Sequence, residues 1–226
     1  MNLLTIILGL LPGFAWLFFF LQEDQHPEPK RLILKTFLAG AAGAIFALAA
    51  QILLNSAFGL LQFQQLIFLS FIVLALVEEI IKFFAAYFVV RKNPAFDEPV
   101  DAMIYMVVAA LGFATVENLG AVSGGGGSGQ FALLSNALTT TTLRFVGATL
   151  LHALTSALVG YWWAIGIRRF MAKKYIIYGL AAATLLHGIF NYLIISFGSI
   201  IYAIAFLIVA AFFVLADFEK LKGKAL

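Results

Sequence analysis

Two adjacent carboxylates and a lysine interrupt an apolar stretch in the first half of the sequence. Glu78, Glu79 and Lys82 lie within residues 66–90, a run that is otherwise mostly apolar and long enough to cross a bilayer as a helix. A charged side chain at membrane depth costs at least about 2.5 kcal/mol, so three of them close together need a compensating role. Helical spacing lets Lys82 reach either Glu79 or Glu78, but it cannot neutralise both. One carboxylate therefore needs a proton, a metal ion or another partner.

Few other polar side chains occur in the apolar stretches that follow. They are Glu117, Asn118, Arg144, His152, Ser156, His187 and Asn191. His187 and Asn191 share one helix face, so the amide can fix the imidazole tautomer or act as a further polar ligand. Purely structural roles are the alternatives: an ion pair between helices for Lys82, a hydrogen-bonded helix contact for His152, and a position at the membrane interface for Arg144.

Two carboxylates and two histidines in a site that excludes bulk water fit two hydrolytic mechanisms. In the first, they bind Zn²⁺, whose bound water becomes a nucleophile near neutral pH. In the second, a buried glutamate acts as general base on a water while histidine and asparagine stabilise the oxyanion. Both mechanisms hydrolyse an acyl bond, and the residue types leave both open. The sequence contains no His-Glu-x-x-His, so spacing alone gives little indication of zinc.

The composition indicates what kind of element positions these groups. Of the 226 residues, 63% are hydrophobic and only 11% charged, whereas about a quarter of a soluble domain is charged. The mean hydropathy is +1.03. These values predict an all-α polytopic membrane protein that forms one domain over residues 1–226. The absence of cysteine excludes thiolate chemistry, and the basic residues lie in short loops, so the net charge of +3 does not indicate a nucleic-acid partner.

The apolar stretches and their basic flanks predict seven transmembrane helices. We expect them at residues 3–21, 32–54, 66–90, 100–122, 143–167, 175–197 and 199–216. Residues 131–142 are expected to form a re-entrant or interfacial lead-in, after a flexible glycine-rich loop at 123–130. The basic loops all fall on one side if the spans alternate, which puts the N-terminus outside and the C-terminus in the cytoplasm. Asp101 is expected to stabilise the start of the fourth helix.

With that orientation, the polar groups on the third to sixth spans lie at overlapping depths. At about 1.5 Å per residue, Glu79 lies roughly 20 Å below the outer surface, His187 roughly 15 Å and Glu117 roughly 8 Å. His152 lies roughly 13 Å below the same surface. We therefore expect these groups to meet in one cavity in the outer half of the membrane.

Four ordered motifs on four spans resemble those of the PrsW family of intramembrane proteases. The motifs are Glu78-Glu79-x-x-Lys82, Gly112-Phe113-Ala114-x-x-x-Glu117-Asn118, His152-Ala153 and His187-x-x-x-Asn191. That family is similar to the broader CAAX-protease and bacteriocin-processing superfamily, which carries histidine where this chain has Glu117. The resemblance implies catalysis either with a metal or by glutamate alone. It implies Glu78, Glu79, His152 and His187 as catalytic residues, followed by Glu117 and Asn191.

These observations predict an integral-membrane endopeptidase of a bacterial or archaeal plasma membrane. The expected substrate is a membrane-anchored protein, and the resemblance implies an anti-sigma factor. We expect Glu79 to be the base and, if Zn²⁺ is bound, Glu79, His152 and His187 to hold it. A proton-coupled transporter and a non-catalytic membrane scaffold are the alternatives. No internal repeat or paired broken helices support the transporter, and the presence of all four motifs argues against the scaffold.

Overall fold

The chain folds as a bundle of α-helices in the computed structural model, which describes residues 3–60, 67–124, 130–197 and 200–222. The described residues form eight helices, and the prediction of an all-α membrane protein is confirmed. They are α1 (Leu3–Leu21), α2 (Lys30–Leu60), α3 (Ile67–Val90), α4 (Pro99–Ser123), α5 (Gln130–Val146), α6 (Ala148–Arg168), α7 (Ala172–Phe197) and α8 (Ile200–Leu221).

Within the described residues, length and composition mark six stretches of helix as able to cross a membrane. These are Leu3–Leu21, Lys30–Leu54, Pro99–Ser123, Ser135–Arg168, Ala172–Phe197 and Ile200–Leu221. Helix α3 has 24 residues but carries three charged side chains. These charges face the protein, because Glu79 and Lys82 are fully buried, whereas Phe88 on the same helix is 63% exposed. With α3 included, the helices account for the seven predicted spans.

Several helix boundaries differ from the predicted spans, and the differences at the end of α2 and the start of α6 matter most for the site. Helix α2 continues to Leu60, so residues 55–60 extend the helix beyond residue 54, where we expected the second span to end. The helix that precedes α6 ends at Val146, and the chain bends at Gly147 rather than starting a span at residue 143. A Cβ atom at Gly147 would lie 2.7 Å from the carbonyl oxygen of Leu143, so only glycine fits this bend. The predicted glycine-rich loop lies mostly outside the described residues.

Helix α4 is the central helix, and the other elements are arranged around it. Its residues are buried along nearly the whole length, against α1, α2 and α6. Glycines make the close approach possible: a Cβ at Gly40 would lie 1.9 Å from the Ala109 oxygen, and one at Gly112 would lie 2.0 Å from the Phe37 oxygen. The small residues of α2 around Gly40 therefore pack directly on α4.

The loop between α1 and α2 is tied to the start of α4. Tyr105 donates a hydrogen bond to Glu28, and the Glu28 carboxyl also lies beside that of Asp101. Asp101 accepts hydrogen bonds from the backbone N–H groups of Asp97 at 2.9 Å and Glu98 at 2.7 Å, as expected for a helix start. Partial burial, together with the neighbouring carboxylates, raises the pKa of Glu28 to about 8.

Candidate active site

Helices α3, α4, α6 and α7 meet around the predicted catalytic residues. Helix α6 packs against both α4 and α7, and α3 packs against α7. Five of the six predicted residues form one connected set of contacts, which are Glu78, Glu79, Glu117, His152 and His187. The sequence expectation that four separate motifs converge in one place therefore agrees with the geometry.

Glu79 is the carboxylate that neutralises Lys82. The Lys82 Nζ atom lies 2.6 Å from Glu79 Oε1, and both side chains are 0% exposed. The same oxygen accepts a hydrogen bond from Thr155 at 3.0 Å and lies 2.8 Å from His187 Nδ1. A carboxylate held by three partners is fixed in position, so Glu79 in turn fixes the positions of Lys82 and His187.

Glu78 also faces His187, but no lysine among the described residues forms an ion pair with it. Its Oε1 accepts a hydrogen bond from Gln51 Nε2 on α2 at 2.5 Å. Its Oε2 is buried, lies 3.6 Å from His187 Nε2, and has no hydrogen-bond partner among the described residues. The two adjacent glutamates therefore differ in environment, as their 100° separation on a helix predicts. Each has one buried oxygen without a hydrogen-bond partner among the described residues, but only Glu79 is paired with a lysine.

The contact with Glu79 sets the orientation of His187. A carboxylate beside Nδ1 holds the proton on that nitrogen, so the lone pair of Nε2 faces Glu78. The ring of His187 packs edge-on against that of His152, with centroids 5.1 Å apart. His187 thus presents a free nitrogen to the gap between the two glutamates and His152.

His152 links the buried lysine to the fourth helix. Its Nδ1 lies 3.0 Å from Lys82 Nζ, and its Nε2 lies 2.9 Å from Glu117 Oε2. Because an ammonium group can only donate, Nδ1 accepts from Lys82 and the Nε2 proton is donated to Glu117. The Glu117 side chain is 29% exposed, so it is the carboxylate through which the network reaches the surface.

Arg144 belongs to the site, although its sequence position suggested the membrane interface. Its Nη2 lies 3.1 Å from Glu117 Oε2, and its Nε donates a hydrogen bond to Asn118 Oδ1. Asn118 in turn donates to Thr149 at 3.0 Å. The bend at Gly147 lets α5 return towards α4 and bring the guanidinium to this place. Sequence analysis missed this contact because Arg144 lies in none of the four motifs.

Three further polar residues complete the surroundings of the site. Gln51 and Thr155, which bind the two glutamates, were not predicted. A glutamine near the end of an apolar span was the only available signal for Gln51. Asn191 lies one turn beyond His187 and is half-buried, without a hydrogen bond to any residue that the structure describes. Its predicted role stays a prediction.

The donor set fits a divalent metal. Glu78, His152 and His187 each offer one ligand atom, and these atoms lie within 4.8 Å of one another. Two histidines and one glutamate are a common ligand set for catalytic zinc. The unpaired Oε2 of Glu78 is a buried acceptor that such an ion would satisfy. We predicted Glu79 as the carboxylate ligand, but its Oε1 is committed to Lys82, and Glu78 takes that place in the cluster.

Comparisons with known proteins point to one family. The family described as "PrsW family intramembrane metalloprotease" matches residues 28–216. Protease PrsW of Geobacillus kaustophilus (strain HTA426) is 32% identical over 192 residues, which cover 83% of this chain and 78% of that protein. Protease PrsW of Bacillus subtilis (strain 168) is 28% identical over 200 residues, covering 86% of this chain and 84% of the relative. No solved structure gives a significant match.

Proposed function

Since the chain belongs to the PrsW family of intramembrane metalloproteases, and is therefore a membrane peptidase, we propose that it cleaves a membrane-anchored protein in the outer half of the bilayer. One observation carries this proposal: three glutamates and two histidines from four helices form a connected, largely buried network. Burying this many ionisable groups costs free energy, and hydrolysis of a peptide bond is a function that requires such groups.

We assign the metal to Glu78, His152 and His187. A Zn²⁺ ion held there would act as a Lewis acid on the scissile carbonyl and would acidify water. Glu79 keeps the proton of His187 on Nδ1, so that Nε2 stays free. His152 has both ring nitrogens in contact with partners, so ligation at either nitrogen would replace the Lys82 or the Glu117 contact.

Glu117 is the residue we assign as general base. It is the most exposed carboxylate of the network, and its Oε2 is held by His152 and Arg144, which leaves Oε1 for a water molecule. In this role it takes a proton from the attacking water and then gives it to the leaving amine nitrogen. Arg144 and Asn191 are the nearby candidates for stabilising the oxyanion.

A metal-free mechanism uses the same residues with other roles. Glu78 then takes the proton from water, because its Oε2 has no partner among the described residues, and His187 Nε2 lies next to it. The existing contacts of both His152 nitrogens favour this alternative, whereas the ligand set of Glu78, His152 and His187 favours the metal. Metal content decides between them.

For the substrate, we propose a single-span regulatory protein such as an anti-sigma factor, as the resemblance implies. The curated relatives come from bacteria, which supports a bacterial plasma membrane as the location. The basic loops support an outside N-terminus and a cytoplasmic C-terminus, with the site open towards the outer surface.

Cleavage in proteoliposomes tests the proposed function. The protein is reconstituted with a panel of single-span substrates, and the products are identified by mass spectrometry. We expect cleavage by the wild type and by His26→Ala, a matched histidine variant in a loop outside the network, and none by His187→Ala. Equal cleavage by all three proteins would contradict the assignment of His187, and an intact panel with every protein would contradict the proposed function.

A further inference from the structure

A cleft of about 340 Å³ opens beside Glu117, between α2, α4 and α5. Most of its wall consists of small or aliphatic residues, among them Ala44, Ala47, Leu48, Val116 and Gly120. Gln51, Glu117 and Arg144 contribute the polar part of the wall. Leu48 is 58% exposed and Gly120 is exposed as well, so the cleft is open at the surface of the protein.

The polar wall connects the cleft directly to the catalytic network. Gln51 donates a hydrogen bond to Glu78 at 2.5 Å, and Glu117 lies 2.9 Å from His152. A peptide in the cleft would therefore contact the proposed base Glu117 directly and would be separated from Glu78 by Gln51. The side-chain oxygen of Gln51 remains available to accept a hydrogen bond from the backbone of an extended peptide.

We infer that this cleft is the subsite for the substrate residue next to the scissile bond, and that it selects a small, uncharged side chain. This inference rests on the proposed peptidase function and names its specificity. The volume is near the lower end of the roughly 300–1,000 Å³ range of ligand pockets, so there is room for a short stretch of peptide with small side chains. The aliphatic wall disfavours a charged side chain, which would lose its hydration there.

Gly120 is the position that keeps the cleft open. A Cβ atom added at Gly120 would meet no atom of the described residues within 4 Å beyond the adjacent backbone of its own helix, whereas one at Gly112 on the same helix would lie 2.0 Å from the Phe37 oxygen. A side chain added at position 120 therefore starts in open space at the cleft wall and takes up part of the cleft. Leu48 offers the opposite change, because shortening it to alanine widens the cleft.

The test measures kcat/KM for one single-span substrate whose residues at the mapped cleavage site are changed to Ala, Leu, Phe or Asp. We expect the wild type to prefer the Ala substrate. For the Leu and Phe substrates, we expect the kcat/KM of Gly120→Phe to be at least tenfold lower than that of the wild type. Leu48→Ala is expected to shift the preference towards Leu and Phe. Leu53→Phe, at a 72% exposed position on α2 outside the cleft, is the control and should keep the wild-type preference.

The outcomes separate the subsite from the activity itself. A wild type that cleaves the series, together with unchanged preferences in both Gly120→Phe and Leu48→Ala, would overturn the subsite and leave the peptidase function standing. A wild type that cleaves none of the series would contradict the proposed function and the subsite with it. If Gly120→Phe does not fold, as judged by its melting temperature, Gly120→Ala takes its place. Gly120→Ala narrows the cleft and Leu48→Ala widens it, so their substrate preferences should shift in opposite directions.

Discussion

His187 Nδ1 lies 2.8 Å from Glu79 Oε1, so a carboxylate that is fully buried and bound to Lys82 decides which nitrogen of His187 faces the gap. The two adjacent glutamates of α3 thereby have separate tasks. Glu79 holds the lysine and Nδ1 of the histidine in place, whereas Glu78 is bound by Gln51 and places its other oxygen 3.6 Å from Nε2 of the histidine.

Glu79→Gln and Glu78→Gln should differ in their effect on stability. Glu79→Gln leaves Lys82 buried without a counter-charge, and breaking a buried ion pair in this way costs about 3–5 kcal/mol. Glu78→Gln removes a charge that no lysine neutralises and should leave the melting temperature in detergent close to that of the wild type. Both variants should lose activity. A larger loss of melting temperature for Glu78→Gln than for Glu79→Gln would contradict the separate roles.

Arg144 should matter for turnover more than for folding. Its contacts to Glu117 and Asn118 hold the proposed base, and loss of such a supporting contact typically lowers activity about 10–100-fold. We expect Arg144→Ala to show that decrease in kcat with little change in KM, and Arg144→Lys to recover part of it. Arg169→Ala, which removes an exposed arginine bound to Tyr175, is the control. Full activity of Arg144→Ala would show that Glu117 needs no support from α5.

Glu28 should make the stability of the protein depend on pH. Burial raises its pKa from 4.5 to about 8, so the folded state binds a proton more tightly than the unfolded state does. The contribution is present below the unfolded pKa and is lost as the pH rises from about 5 towards 8. We expect Glu28→Gln to flatten the fall in melting temperature over this interval. An identical pH profile in the wild type and in Glu28→Gln would contradict the prediction.

The metal assignment predicts which substitutions reduce metal content. Elemental analysis of the purified protein should find about one zinc per chain, and Glu78→Gln or His152→Ala should lower that amount. Arg144→Ala should keep the metal, because Arg144 contacts Glu117 and none of the three ligands. Wild-type protein without metal, whose activity is unaffected by strong chelators, would contradict the metal assignment and favour catalysis by glutamate alone.

The absence of native cysteine makes the predicted orientation simple to test. A single cysteine that replaces Gly120 lies at the cleft. One that replaces Arg91 lies just beyond the C-terminal end of α3, which the predicted orientation places on the cytoplasmic side. A membrane-impermeant maleimide added to intact cells should label Gly120→Cys, and should label Arg91→Cys only after permeabilisation. The reverse pattern would overturn the orientation with the N-terminus outside.

The sequence predicted the type of fold and the meeting of its motifs because both depend on strong signals. Long apolar stretches define helices, and the cost of burying Glu78, Glu79 and Lys82 demands partners. Which glutamate pairs with Lys82 depends on how α3 is rotated against α6 and α7. Helical spacing cannot decide this, because Glu78 at i,i+4 and Glu79 at i,i+3 can both reach the lysine. The cluster of possible metal ligands therefore contains Glu78, whereas the predicted ligand was its neighbour Glu79.

Arg144 and Gly147 show that a local sequence pattern does not predict contacts between helices. An arginine at the end of a threonine-rich stretch is typical of a membrane interface, and only the bend at Gly147 brings it to Glu117. That bend depends on the backbone approach of Leu143, which no spacing rule describes. Gln51 was missed for the same reason, because its partner Glu78 lies on another helix.

The initial rate of substrate cleavage by Glu117→Gln tests the central claim most directly. The buried network on α3, α4, α6 and α7 is proposed as the peptidase centre, with Glu117 as its base. Loss of a general base lowers the rate about 10²–10⁴-fold, and we expect that loss for Glu117→Gln with an unchanged cleavage site. Glu219→Gln, the same substitution at an exposed position on α8, should keep the wild-type rate. Wild-type rates for a folded Glu117→Gln would contradict the assignment.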